Sequence, residues 1–306
     1  MNRLTIEMLC EILLKAKEIT AEQAREIKLK QDHQRMKILR ARGESVHRGR
    51  MHLEEEVSVI EVAASFELPS LSQPGRVLNE DFITELVARH AGLPFRKIDP
   101  LKLNPEIITQ ILSRAFARKN TAVPIERSDD RLVVAVADPY NLEVVENIER
   151  MGYKVSRVLS PKADLVKIIT EFYGFRSSVS AAAKEISGAV DLGNLEQFVK
   201  MKAVSEIEAT DKHIVNAVEF LFRYAFDQRA SDIHLEPKRE VTEVRLRIDG
   251  MLHAVHKVPR QIHPALVSRI KMLSRMDIAE KRRPQDGRIK TEYKEREVEL
   301  RVSTMP

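Results

Sequence analysis

Arginines crowd the last quarter of the chain, among them Arg245, Arg247, Arg260, Arg275, Arg282, Arg283 and Arg288. A guanidinium presents a planar fork of donors that grips phosphate through two hydrogen bonds. An anion site lent to a neighbouring domain is the chemistry this pattern offers. In Val244-Arg245-Leu246-Arg247-Ile248-Asp249-Gly250 charged and apolar residues alternate, so a strand sets Arg245 and Arg247 on one surface. The competing reading is a solvated face whose arginines pair with Asp249, Asp277, Glu280 and Asp286; such pairs are worth little at a surface. Asp232, His234 and Glu236 also alternate and invite a metal reading. Strand residues i and i+4, however, lie about 13 Å apart, against ligand bonds of about 2.0–2.2 Å. Hydrogen bonds from these three to nearby arginines are expected instead, and no metal. His213, His253, His256 and His263 lack ligand spacing and are expected as surface or half-buried histidines. No glycine is followed by lysine, so the Gly-Lys pair of a P-loop is missing. No catalytic residue is assigned, and the chain is not expected to hydrolyse ATP by itself.

The elements that would carry these residues can be read from turn and periodicity signals. Asp249-Gly250 predicts a tight hairpin, with a return strand from Met251 to about Lys257. Pro264–Ile278 reads as a helix with Leu266, Ile270 and Leu273 on its apolar stripe and Ser268, Lys271 and Arg275 opposite. Gly287, in the second Asp-Gly pair, is expected in a tight turn. Val298, Leu300 and Val302 alternate with Glu297, Glu299 and Arg301 as a further strand. Asp211 caps a helix with Ile214, Val218, Leu221 and Ala225 on one stripe. A small antiparallel sheet with an arginine-rich face and a helix on the other is expected.

Upstream, strand and helix patterns alternate from Val77 to Tyr173. A hairpin joins Ala122–Glu126 to Val133–Ala137; a helix at Leu142–Arg150, a strand at Lys154–Leu159 and a closing helix at Asp164–Tyr173 come next. Ala137-Asp138-Pro139-Tyr140-Asn141 fits a phosphate or cation loop, but a strand end with an Asp-Pro turn and helix cap accounts for it more simply. Residues 3–31 read as two helices, the second opened by a capping box at Thr20 and Gln23. Arg25 to Arg50 is strongly basic and is expected as a solvated, partly mobile connector, with anionic lipid as its functional alternative. Ser177 to Thr210 is small and polar and is expected as an interdomain linker, with helical tendency at Leu195–Met201. The divisions are thus 1–76 (helical start with basic connector), 77–176 (α/β adaptor domain), 177–210 (linker) and 211–306. The fold class is α+β and multidomain.

The 306 residues carry a net charge of +5, 32% charged residues and no Trp, with 5% aromatics. So few rings argue against a base-stacking nucleic-acid platform. The single Cys10 excludes an intrachain disulfide, fits a reducing cytoplasm and is expected as a buried small hydrophobe. Leu4–Leu14 is interrupted by Glu7 and Glu11, so no signal peptide is expected, and no run reaches the about 18 apolar residues of a span.

RASDIHLEP, VRLRIDGML, VSRIK, DIAEKRRPQDGRI and ELRVSTMP, in this order, resemble the domain preceding the motor in the type II secretion and type IV pilus assembly ATPases. GLPF, VAVADP and EFYG resemble the amino-terminal domain of the same family. The resemblance implies that residues 211–306 are PAS-like and that a P-loop ATPase domain lies beyond Pro306. It implies a cytoplasmic homo-hexamer at the inner membrane, binding ATP and Mg2+, docked on an inner-membrane platform or membrane-anchored partner, without nucleic acid. It also implies arginines turned toward the ATP γ-phosphate, carried over to Arg245 and Arg260 first and to Arg247, Arg283 and Arg288 second. LLKAKEITAEQAREIKLKQ resembles a degenerate copy of a repeat that binds cyclic di-GMP in some members. Met8, Leu9 and Cys10 stand where Arg-Leu-Gly would be and Lys17 stands at a further glycine, so no such binding is expected. The rival reading is a non-enzymatic nucleotide- or nucleic-acid-binding sensor module. Pilus assembly and type II secretion are not separable at this level.

Overall fold

The computed structural model describes residues 3–42, 56–188 and 211–306. They form two compact units, Met1–Thr170 and Glu171–Pro306.

The first unit begins with α1 (Ile6–Lys15) and α2 (Ala21–Ala41), then α3 (Val59–Ala64) and α4 (Glu80–His90). Thr20 accepts from the Gln23 N–H at 3.2 Å, and Gln23 Oε1 accepts from the Thr20 N–H at 2.8 Å, the expected capping box. α2 runs ten residues past Gln31 and takes in most of the basic run predicted as a connector. Its stripe of Ala24, Ile27, Arg35 and Leu39 is buried, and Lys, Arg and Gln are good helix formers. Residues 43–50 of that run, including Arg48 and Arg50, lie outside the described residues. Leu9, Leu13, Ile60, Val62, Phe82 and Val87 are buried, and α1, α3 and α4 pack on one another. The helical start therefore shares a core with α4, across the boundary expected at Val77, and no division falls there. Cys10 is fully buried, as expected.

After α5 (Pro105–Ile111) and α6 (Arg114–Asn120), β1 (Ala122–Ser128) and β2 (Arg131–Val136) form the expected hairpin. β3 (Lys154–Leu159) joins β2 in parallel through α7 (Glu143–Glu149), giving the order β1-β2-β3. β1 carries Pro124 and an irregularity between Pro124 and Glu126.

α8 (Lys162–Gly188) extends through Tyr173 and twelve residues into the stretch predicted as linker. Its buried stripe, Phe172, Phe175, Val179 and Ala182, continues the helical period, and the Ala181-Ala182-Ala183 run favours helix. The rest of that stretch, with Leu195–Met201, lies outside the described residues.

The second unit continues with α9 (Lys212–Asp227), whose Asp211 cap accepts from the His213 and Ile214 N–H groups. β4 (Asp232–Pro237), β5 (Val241–Ile248) and β6 (Met251–Pro259) form an antiparallel sheet in that order. Asp249 and Gly250, at φ 48° and 81°, make the predicted β5–β6 turn. α10 (His263–Leu273) ends five residues before the expected Ile278, and Ser268 and Lys271 on its supposed polar side are buried. Lys271 Nζ donates to the Glu280 carbonyl at 2.5 Å, which compensates its burial. β7 (Gln285–Tyr293) and β8 (Arg296–Thr304) form a separate two-stranded ribbon. Gly287 lies inside β7, not in a turn: a Cβ there would stand 2.5 Å from the Ser274 carbonyl oxygen, so close packing on the end of α10 is what requires glycine. Among the described residues no helix is long and apolar enough to cross a membrane.

Candidate functional site

Alternation along β5 buries Thr242, Val244, Leu246 and Ile248 and leaves Glu243, Arg245 and Arg247 on the opposite face. The β4 register sets Asp232 across from Arg247, His234 across from Arg245, and Glu236 across from Glu243. Arg247 Nε donates to Asp232 Oδ2 at 3.0 Å and its Nη1 to the Gly250 carbonyl at 3.2 Å. Arg245 Nε donates to Glu236 Oε1 at 3.1 Å, and Nη2 reaches the same oxygen. That hydrogen bond holds the Glu236 carboxyl below the usual carboxylate range and raises the Arg245 guanidinium. Asp232 and Glu236 thus serve as arginine partners. Among the described residues no three His, Cys, Asp or Glu side chains gather as a metal site. His234 Nε2 is buried without a hydrogen-bond partner.

Arg260 sits in the short 3-10 turn after β6, donating through Nη1 to the Lys238 carbonyl at 3.0 Å. Val241, not Arg245, is level with Pro259, so the strand rise separates Arg245 from Arg260 by roughly 13 Å along the sheet. The two are not brought together. Arg288 pairs with Glu299 at 3.2 Å on the ribbon, and Arg283 is exposed in the loop before it. Only Arg245 and Arg247, of the five, share one surface.

Two features went unread in the sequence. His256, expected at the surface or half-buried, is 5% exposed. A bulge between Val244 and Arg245 in the β5–β6 register accompanies its inward turn. Phe175 and Tyr224 rings lie 4.3 and 5.6 Å from it, and burial lowers its pKa to about 3. The second is a polar cavity of about 420 Å3 in the first unit, reached by Thr5, Gln31, Asn120, Thr121 and Asp138. Thr121 is left-handed at φ 44°, a strained setting for a β-branched residue. Asp138 accepts from the Tyr140 N–H at 2.9 Å and the Leu4 N–H at 3.1 Å, and burial pushes its carboxyl up. The Asp-Pro segment therefore acts as turn and tether. A periodicity argument cannot see either feature, since each is assembled from residues distant in sequence.

Comparison with known proteins matches two stretches of the chain to family models. Residues 91–179 match the MshEN domain model, and residues 208–306 match the model described as type II/IV secretion system protein. The type IV pilus assembly ATPase TfpB of Acinetobacter baylyi is 34% identical over 246 residues, covering 79% of this chain and 42% of that protein. The type II secretion system protein E of Xanthomonas campestris pv. campestris is 30% identical over 245 residues, 78% of this chain and 42% of the relative. The type IV pilus assembly ATPase PilB of Myxococcus xanthus is 30% identical over 235 residues, 75% and 40% respectively. The chain thus spans about two fifths of the length of these relatives. With both models matched in order along it, the chain belongs to the type II secretion and type IV pilus assembly ATPase family.

Proposed function

We propose that this chain is the regulatory and partner-docking part of a hexameric cytoplasmic ATPase that powers type IV pilus assembly or type II secretion. The observation that carries the site reading is the placement of Arg245 and Arg247 side by side on the sheet face away from the buried residues. In the complete protein, residues 211–306 act as a PAS-like domain that closes over ATP and Mg2+ held by a P-loop domain. Arg245 is 31% exposed and held by Glu236. A surface pair of this kind contributes little to stability, so it orients the guanidinium yet opens readily to an arriving γ-phosphate. Arg260, farther along the sheet, approaches from the turn after β6. Arg247, Arg283 and Arg288 serve as salt-bridge holders or secondary contacts. The first unit docks a membrane-anchored assembly partner at the inner membrane face.

The test is steady-state ATPase of the complete protein carrying Arg245→Ala or Arg260→Ala, with circular dichroism as the folding control. Turnover should fall sharply, by less than the ~10³–10⁵ that a primary arginine finger supplies. Arg245→Lys should rescue poorly, because an ammonium lacks the bidentate fork. Unchanged turnover in both alanine variants would make these arginines structural.

A further inference from the structure

The second unit begins before the segment that the family model matches. Residues 171–188 of α8 belong to it, whereas the type II/IV secretion match starts at residue 208 and the MshEN match runs only to residue 179. Phe172, Phe175, Val179 and Ala182 are all buried, at the i, i+3, i+7, i+10 spacing of one helix face. Phe172 and Phe175 meet a socket made by Phe220 and Tyr224 of α9 and His256 of β6. Phe175 stacks on Phe220 at 5.0 Å and tilts against His256 at 4.3 Å, while Phe172 meets His256 edge-on at 5.7 Å. Phe220 and Tyr224 stack at 5.7 Å behind it. The Gln261 amide, just past β6, donates to the Ala183 carbonyl at 3.4 Å near the helix end.

We propose that this aromatic socket is a helix-docking site whose ligand is the chain's own residues 171–188. The mode is a helix laid into an apolar groove, read through anchors on one face. Three points favour this occupant. The helix face supplies two rings, and offset or edge-on ring pairs contribute beyond their buried area. His256 is 5% exposed, and Phe172 and Phe175 are among the rings that close over it, so the helix face supplies part of the cover that keeps the imidazole from water. Residues 176, 177 and 180, on the other side of the helix, are exposed, so the groove selects one face. The domain matched at 208–306 is thereby incomplete without a segment that precedes it.

The test is hydrogen exchange by mass spectrometry on the full chain, comparing wild type, Phe172→Ala/Phe175→Ala and the exposed-face control Ser177→Ala. In wild type and the control, amides of 171–188 should exchange as slowly as those of α9. In the double variant their protection should fall by about a hundredfold or more, with α4 of the first unit unchanged as evidence of folding. A synthetic peptide of residues 168–188 added to the double variant should restore protection to α9 and β6. Wild-type 171–188 exchanging like a free peptide while α9 and β6 stay protected would overturn the proposal. So would a wild-type dimer that the double variant converts to monomer, since the helix would then come from a second copy.

Discussion

Acid should unfold the second unit through His256, and the size of the effect can be worked out from its surroundings. The imidazole is 5% exposed among Phe172, Phe175, Phe220 and Tyr224, and burial lowers its pKa from 6.5 to about 3. An unfolded chain takes up the proton as pH falls below 6.5, whereas the folded unit refuses it until about 3. The unfolded state binds more protons in that window, so stability drops as pH falls through it. Each full pH unit costs about 1.4 kcal/mol. Between pH 7.5 and pH 5 the loss from this one group is therefore about 2 kcal/mol. Urea unfolding tracked by circular dichroism, at both pH values, measures it in wild type and in His256→Leu. Carboxylates titrate in both proteins, so the difference between their pH responses isolates the imidazole. Equal losses in the two proteins, within about 0.5 kcal/mol, would mean that His256 titrates normally in the fold, contrary to the burial argument.

Gly287→Ala should destabilise by about 1–3 kcal/mol, the range of overpacking, because its Cβ would stand 2.5 Å from the Ser274 carbonyl oxygen; an unchanged thermal midpoint would show that β7 slides freely on α10. Lys17 lies just past α1 at φ 56° with its N–H on the Leu14 carbonyl and the Glu18 N–H on Leu13. Lys17→Gly should therefore stabilise by about 0.5–1 kcal/mol, and a loss in urea unfolding would contradict the assignment of backbone strain there. Lys162→Met should cost about 2–3 kcal/mol, less than the ~3–5 of an orphaned buried charge, because Arg42 still pairs with Glu61 at 2.5 Å; equilibrium unfolding at neutral pH checks it. Cyclic di-GMP should show no stoichiometric calorimetric binding, with Met8, Cys10 and Lys17 at the motif positions, and micromolar binding abolished by deleting residues 1–40 would refute that expectation.

Much of the secondary structure is legible because its signals are local. The Thr20–Gln23 capping box, the Asp249-Gly250 turn and the strand Lys154–Leu159 each lie within a few residues and appear where expected. Composition misled where tertiary packing decides. Ser177-Ser178 and the alanines after them look like linker, yet Val179 and Ala182 are buried and the helix continues. Gly287 shows the same limit: Asp-Gly signals a turn, but steric contact with Ser274, at the end of α10, explains the residue better. For the candidate site, strand period placed Arg245 and Arg247 on one surface, and the register to β4 supplied their partners Glu236 and Asp232. No period encodes that register, nor the distance separating Arg260 from Arg245.

The proline in β1 bears on how the first unit behaves in company. An exposed strand edge is a template for another chain's backbone. A proline has no N–H to offer and is tolerated in a strand where that gap faces away from the ladder. Pro124 and the adjoining irregularity interrupt β1, the outer strand of its sheet, while Phe95 bridges to Leu159 on the opposite outer strand. One border of the sheet is broken and the other is partly occupied. Copies of this unit crowded together would therefore resist zipping into a continuous sheet, leaving side-chain surfaces to govern which neighbours they accept.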